Sequence, residues 1–225
     1  MITTKDFYDS FSSQYTEAIL KCVPRYEEML TKLFYYLPNG FAPNNILELG
    51  CGTGNLSSLI VHHFPDARLT TVDISGEIIS ECKGRLKNTS IEFIQGNFSK
   101  LCFPNNCFDL IISSIAIHHL TDSDKERLFQ NIHRWLVSGG VFVFSDQFKG
   151  ETDSVYQKHI ELWQNHAVKN NVTDEEWAIW IEHQKLHDYH SPIRSHLGWL
   201  ENCGFKKPDC VWRYSLWSVI HAEKA

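Results

Sequence analysis

The feature that most constrains this chain is an alternation. Between residues 45 and 148, short β-rich runs are separated by stretches of helical periodicity. "NILELG" precedes a helical face of Leu56, Leu59, Ile60 and Phe64, and "ARLTTVDI" precedes one of Ile78, Ile79, Cys82 and Leu86. "IEFIQGNF" and "FDLIISSIAI" follow, then a helix carrying Leu128, Ile132, Trp135 and Leu136, then "GGVFVFSDQF". Crossovers long enough to hold helices let the strands run parallel, and a parallel sheet must be covered on both faces. An α/β architecture around a mostly parallel sheet is therefore expected. Residues 5 to 37 read as helices broken near Pro24, and residues 151 to 190 carry helical spacing without strand signals. A last helix stops at Gly204, and two strands run to the end.

The first strand ends in "ILELGCGTGN", with Gly50, Gly52 and Gly54 at alternate positions and Glu48 two residues ahead. In an open parallel sheet, ligands sit beyond the carboxyl ends of the strands, where the strand order reverses. The glycines let backbone turn tightly and approach a ligand, and the helix that follows offers unpaired amides. Glycines also serve turns that hold nothing. Asp73, at the end of the second strand and about 20 residues beyond the loop, is placed to accept both hydroxyls of an adenosine ribose. Its plainer reading is a cap on the helix beginning near Ser75.

A dinucleotide fingerprint requires a third glycine that this loop lacks: counted from Gly50 the sixth position is Asn55, and from Gly52 it is Ser57. Glu48 would also repel a pyrophosphate, whereas a ligand with an ammonium and a sulfonium would suit it. These details favour S-adenosyl-L-methionine over a nicotinamide cofactor. With "LELGCGTG", "TVDIS", "QGNF" and "FDLIISSIAIHHL", the chain resembles the class I S-adenosylmethionine-dependent methyltransferases. The resemblance implies a Rossmann-like, seven-stranded, mostly parallel sheet with an antiparallel last strand. It implies that Gly50, Gly52 and Gly54 lie under the methionine part of the cofactor, that Asp73 and the adjoining Ile74 meet the ribose, and that Asn97 with Phe98 holds the adenine. The family often has Asp where this chain has Asn97; an amide can still accept from the adenine amino group and donate to a ring nitrogen, or Asn97 can simply close a turn.

"VPRYEEML" and "RSHLGWLENCGF" are similar to the branch containing the carboxy-S-adenosylmethionine synthase of tRNA wobble-uridine modification. That likeness implies cofactor contacts for Tyr26 and Ser114 and allows a homodimer. The arginine that grips the extra carboxylate in that branch falls near His183, and an imidazole replaces a bidentate guanidinium poorly. Ordinary methyl transfer to a small-molecule O or N acceptor is thus expected, with the synthase and a non-catalytic S-adenosylmethionine-binding protein as alternatives.

In-line transfer from an activated sulfonium depends mainly on positioning. If the acceptor carries a proton, a base is needed near the ends of strands four and five, and His118 and Asp146 are the candidates. Each has a plainer reading, His118 as packing and Asp146 as a loop cap. Aromatic residues in the flanks (Phe7, Tyr8, Phe11, Tyr15, Trp163, Trp177 and Trp180) either enclose an acceptor or fill core. His183, His187 and His190, at i, i+4 and i+7, would line one helical face, but i and i+7 stand two turns apart, so no metal is expected and polar contacts lining the acceptor pocket or a lid surface are preferred. The chain is expected to form one domain over 1–225, with a helical lid (1–40), a cofactor-binding core (41–150), a helical insert (151–192) and a C-terminal helix and strand pair (193–225). A net charge of -6 offers no footprint for nucleic acid, and no apolar run reaches the roughly 20 residues of a membrane span. The seven cysteines lack CxxC pairs and read as reduced thiols of a cytoplasmic protein.

Overall fold

The computed structural model describes residues 3–87 and 89–225, and the side chains of Ser10, Phe11 and Ser13 lie outside the description. The expected enclosing role of Phe11 therefore falls outside the described residues. Seven strands form one sheet: β1 (Asn45–Leu49), β2 (Arg68–Asp73), β3 (Ile91–Gln95), β4 (Phe108–Ser114), β5 (Leu136–Gln147), β6 (Phe205–Tyr214) and β7 (Trp217–Lys224). Their order is β3-β2-β1-β4-β5-β7-β6. β1 to β5 are parallel, and β7 enters antiparallel between β5 and β6. The expected seven-stranded α/β fold is present. Strand order reverses between β1 and β4, which places a crevice at their carboxyl ends.

Helices α4 (Asn55–His63), α5 (Gly76–Arg85) and α6 (Asp122–Trp135) make the crossovers. Leu136, expected within the last of these helices, is instead the first residue of β5, so helix passes directly into strand. Side-chain alternation sorts the core. Ile46, Leu110, Ile112, Val141 and Val143 pack on one face with Leu56 and Ile60 of α4, while Leu47, Leu49, Ile111, Phe142 and Phe144 pack on the other with Leu128, Phe129 and Ile132 of α6. Because both faces are buried, the strands are almost continuously apolar.

The amino-terminal helices are α1 (Thr4–Phe11), α2 (Tyr15–Cys22) and α3 (Tyr26–Tyr35). A capping box between Thr3 and Asp6 starts α1, and the chain turns into α3 through Arg25 at φ 56°. The insert forms α7 (Asp153–Lys169) and α8 (Asp174–His187), and α9 (Ile193–Asn202) precedes β6. Gly204, at φ +97°, supplies the left-handed residue that ends α9. Trp163 is 2% exposed, donates its indole N–H to the Cys22 carbonyl at 2.9 Å and meets Trp177 and Trp217 edge-on. With Trp180 also packed against the core, these three insert tryptophans take the core reading. Among the described residues no helix is long and apolar enough to cross a membrane.

Candidate cofactor and acceptor site

A cleft of about 920 Å³, its open mouth included, lies over the carboxyl ends of β1 and β4. Gly50, Gly52, Asp73, Ile74, Asn97, Phe98 and Ser114 line it, together with Tyr26, Tyr8 and Tyr15 from the amino-terminal helices. Eight of the expected cofactor residues thus converge on one cavity. Gly54 lies just beyond the wall as the left-handed cap of α4, where a Cβ would stand 2.8 Å from Cys82 Sγ.

The loop is held from beneath. Gly50 and Cys51 both donate to the Val72 carbonyl, at 2.8 and 3.2 Å, and Gly52 donates to Asp73 Oδ2 at 3.0 Å. Asp73 Oδ1 accepts from the Ser75 amide at 3.1 Å. Each carboxylate oxygen thus spends one acceptor site on backbone and keeps another for a ligand hydroxyl. Burial pushes the Asp73 carboxyl up, opposed by these amides. Ser75 itself caps α5, through its hydroxyl and the Ile78 amide. Asp73 is therefore not the helix cap.

Asn97 lines the same cleft, but its Oδ1 already accepts from the Ser99 amide and hydroxyl at 2.9 and 2.7 Å. Its carboxamide N–H₂ is left as the group that can meet a ring nitrogen. Tyr26 accepts a hydrogen bond from Asn55 at 3.3 Å, and burial pushes its phenol up to about 12. Ser114 accepts from Ser145 at 2.9 Å.

Glu48 departs from expectation. It shares the β1 face of Ile46, so it points into the layer beneath α4 rather than into the cleft, and it is fully buried. Ser57 of α4 donates to its Oε2 at 2.6 Å, and Oε1 has no hydrogen-bond partner. Burial pushes its pKa up to about 8, so near neutral pH the group is mostly protonated and supplies little charge to a ligand. A folded-state pKa raised above the unfolded value makes stability fall as pH rises through the window from about 4.5 to about 8, with the loss complete above it. The stability of Glu48→Gln relative to the unmodified chain is therefore expected to improve across that window and then level off, a difference of a few kcal/mol at most, about 1.4 per pKa unit. Urea midpoints at pH 5, 7 and 9 check this; a constant difference would mean that Glu48 is ionised throughout.

The histidine pair also resolves differently from expectation. After β4, Ile115 adopts φ 51°, a left-handed conformation costly for a β-branched residue, and a 3₁₀ turn follows at Ile117–His119. This reversal turns His119 onto the cleft wall and His118 away from it. His118 is 3% exposed, with Nδ1 2.5 Å from Asp146 Oδ1 and its amide donating to Asp146 Oδ2 at 2.9 Å. Asp146 holds His118 and does not line the cleft. His119 Nε2 lies 3.0 Å from the Tyr8 hydroxyl, which burial keeps protonated well above its usual range.

Three ties strap α1 and α2 over the cleft: Asp9 to Ser75 at 2.5 Å, Thr16 to Thr53 at 2.6 Å, and Tyr8 to His119. His183 is stacked on Phe7, with centroids 4.0 Å apart, and burial pushes its pKa down to about 3, so it is a neutral ring rather than a fixed cation. No Arg or Lys is among the described residues lining the cleft. Arg25 lies over the Tyr214 ring and Arg194 is solvent-exposed beside Glu151. Sequence reasoning missed Asp188, the one acid within the histidine-bearing run, and Lys125, whose buried ammonium meets Ser191 at 3.0 Å and the Tyr189 carbonyl.

A doubly wound sheet with a glycine turn, a carboxylate at the end of β2 and a roofed cleft at its switch point suits a ligand built on adenosine. Residues 46–140 match the family model described as a methyltransferase domain. A carboxy-S-adenosyl-L-methionine synthase of Campylobacter lari is 23% identical over 93% of this chain and 90% of its own length. A methyltransferase of unassigned role from Bacillus cytotoxicus is 29% identical over 75% of this chain and 76% of its own. The solved S-adenosylmethionine-dependent methyltransferase of Mesorhizobium loti superposes with a TM-score of 0.63 at 20% identity, covering 86% of this chain and 96% of that one. Residues 46–140 are thus a methyltransferase domain, in a chain with the class I methyltransferase fold that is similar over most of its length to a carboxy-S-adenosyl-L-methionine synthase. S-adenosyl-L-methionine is its cofactor, and the donor set just described fits that ligand: open acceptor sites on Asp73, a free amide on Asn97 and a glycine floor.

Proposed function

We propose that this enzyme transfers a methyl group to an oxygen or nitrogen of a small molecule bound between the amino-terminal helices and the turn after β4. The carrying observation is the roof: the half-buried Tyr8 and the buried Tyr15 close the cleft from above, and the strapping helices leave room for a compact acceptor rather than a polymer. The bound cofactor supplies an already activated methyl group. Tyr26, the Gly50–Gly54 loop, Asp73, Ile74, Asn97, Phe98 and Ser114 bind and orient it, and the roof excludes water. His119, on the wall and hydrogen-bonded to Tyr8, presents the Tyr8 hydroxyl to the acceptor; Asp146 and His118 support the turn that carries it.

Carboxy-S-adenosylmethionine synthesis is the second reading, favoured by the Campylobacter lari relative. It calls for a cation to grip the additional carboxylate, and the described residues that line the cleft include no guanidinium or ammonium. Incubation with methyl-labelled cofactor and panels of small amines, alcohols, phenols and carboxylic acids tests the proposal by mass spectrometry. Labelled acceptor with S-adenosylhomocysteine is the expected outcome. Accumulation of a carboxylated cofactor on addition of prephenate would replace methyl transfer with the synthase reaction.

A further inference from the structure

Behind the cleft wall, four imidazoles surround one carboxylate. His118 Nε2, His119 Nδ1 and His183 Nε2 lie 3.6, 3.0 and 3.9 Å from Asp188 Oδ1, and His190 Nε2 lies 3.6 Å from Asp188 Oδ2. The side chains of His118, His183, Asp188 and His190 are each 3–4% exposed and that of His119 is 14% exposed. Donor atoms of His118, His119 and Asp188 all fall within 4.8 Å of one another. Ligands bound at about 2.1 Å around a tetrahedral ion stand about 3.4 Å apart, so this spacing is that of a coordination shell.

Three observations go beyond spacing. First, buried polar atoms facing this cluster lack hydrogen-bond partners: Asp188 Oδ1, His190 Nε2 and His183 Nε2. Leaving such groups unsatisfied is destabilising, and a bound cation would satisfy them together.

Second, three rings are held at their far nitrogen. Asp146 meets His118 Nδ1 at 2.5 Å, Tyr8 meets His119 Nε2 at 3.0 Å, and Tyr156 meets His190 Nδ1 at 2.7 Å. The Asp146 carboxylate draws the His118 proton to Nδ1 and leaves its Nε2 as the lone-pair donor, as in carboxylate–histidine–metal units, while the two tyrosine hydroxyls fix the orientation of the other two rings. Tyr156 is itself held by Gln184 at 2.9 Å.

Third, the donors come from two separate places, the 3₁₀ turn at Ile117–His119 and the end of α8 with its following loop. α8 ends at His187 with Asp188 as its extended cap, so Asp188 and His190 leave the helical path. The objection that one helix cannot present three ligands to one ion no longer applies. The Tyr189 amide donates to the His118 carbonyl at 2.8 Å, which locks the two segments together.

We propose that His118, His119 and Asp188 form the core of a binding site for one divalent first-row transition-metal ion of the zinc, cobalt or iron class, with His183 and His190, both within 4 Å of Asp188, completing its shell. Nitrogen and carboxylate donors without thiolate suit that class, and the absence of a multi-oxygen cage disfavours calcium or magnesium. The site goes beyond methyl transfer and joins the insert to the turn after β4.

The full chain, stripped with chelator and shown to be folded by circular dichroism, is titrated with Co²⁺ alone while visible absorption is followed, and Zn²⁺ is then added. One equivalent is expected to bind with d–d bands of imidazole coordination, and Zn²⁺ to displace it. Asp188→Asn and His183→Ala are expected to weaken Co²⁺ at least tenfold, and Tyr156→Phe about tenfold through His190. His62→Gln, on the exposed end of α4, should leave the titration unchanged. A folded protein that takes up no stoichiometric Co²⁺ or Zn²⁺, or one whose binding is untouched in both Asp188→Asn and His183→Ala, would overturn the proposal and leave the cluster as a hydrogen-bonding network.

Discussion

Gly50→Ala is expected to cost the enzyme most of its cofactor affinity and a substantial part of its stability. Gly50 stands at φ +79°, and a Cβ there would lie 2.5 Å from the Ala116 Cβ, closer than two carbons can approach. Neither partner can rotate away, because both are first atoms of a side chain and Ala116 belongs to the strained turn after β4. Relief requires backbone movement, with overpacking and left-handed strain together costing about 2–4 kcal/mol. Any shift also carries the Gly52 amide away from Asp73 Oδ2. We expect a Tm lowered by about 5–10 °C and an affinity for S-adenosylmethionine reduced at least 100-fold. Gly40→Ala provides the contrast, with a similar φ of +74° but nothing within 4 Å, so it should cost only about 1 kcal/mol and leave binding alone. Equal effects from the two substitutions would show that the contact with Ala116 does not matter.

Asp73→Ala should act on binding and fold together. Loss of the two remaining acceptor sites weakens the cofactor by about 1–3 kcal/mol, a drop of roughly 5- to 150-fold. The same truncation strands the Gly52 and Ser75 amides, adding an unfolding penalty of similar size. Asp73→Asn divides the two effects. Its single oxygen can satisfy one amide, while its N–H₂ faces the other donor, so binding should suffer nearly as much and stability less. Calorimetric titration with thermal unfolding of both variants checks this, and unchanged affinity in Asp73→Ala would remove the ribose assignment.

The alternating period of strands and helices made the sheet legible, because crossover length and apolar runs depend on local sequence. The glycine loop and Asp73 were legible for the same reason: they lie next to each other along the topology. Residue direction was less accessible. Leu47 and Glu48 are both fully buried, so the strand's alternation could not show which neighbour faced α4. The choice between His118 and His119 turned on Ile115 at φ 51°, a conformation that a β-branched residue does not advertise. In the insert, a continuous helix would have put His183, His187 and His190 on one stripe. The helix instead stops at His187, and Asp188 becomes the centre of a cluster whose other half lies some 70 residues earlier, a proximity no local pattern encodes.

The central claim is that the cleft binds S-adenosylmethionine through the Gly50 loop and Asp73. Isothermal titration of the purified chain with S-adenosylmethionine, S-adenosylhomocysteine and NAD tests it most directly. Saturable one-to-one binding of the first two, lost or strongly weakened in Gly50→Ala and Asp73→Ala, with none for NAD, is the expected result. Binding of NAD in preference to the adenosyl ligands, or adenosyl binding indifferent to both substitutions, would contradict it.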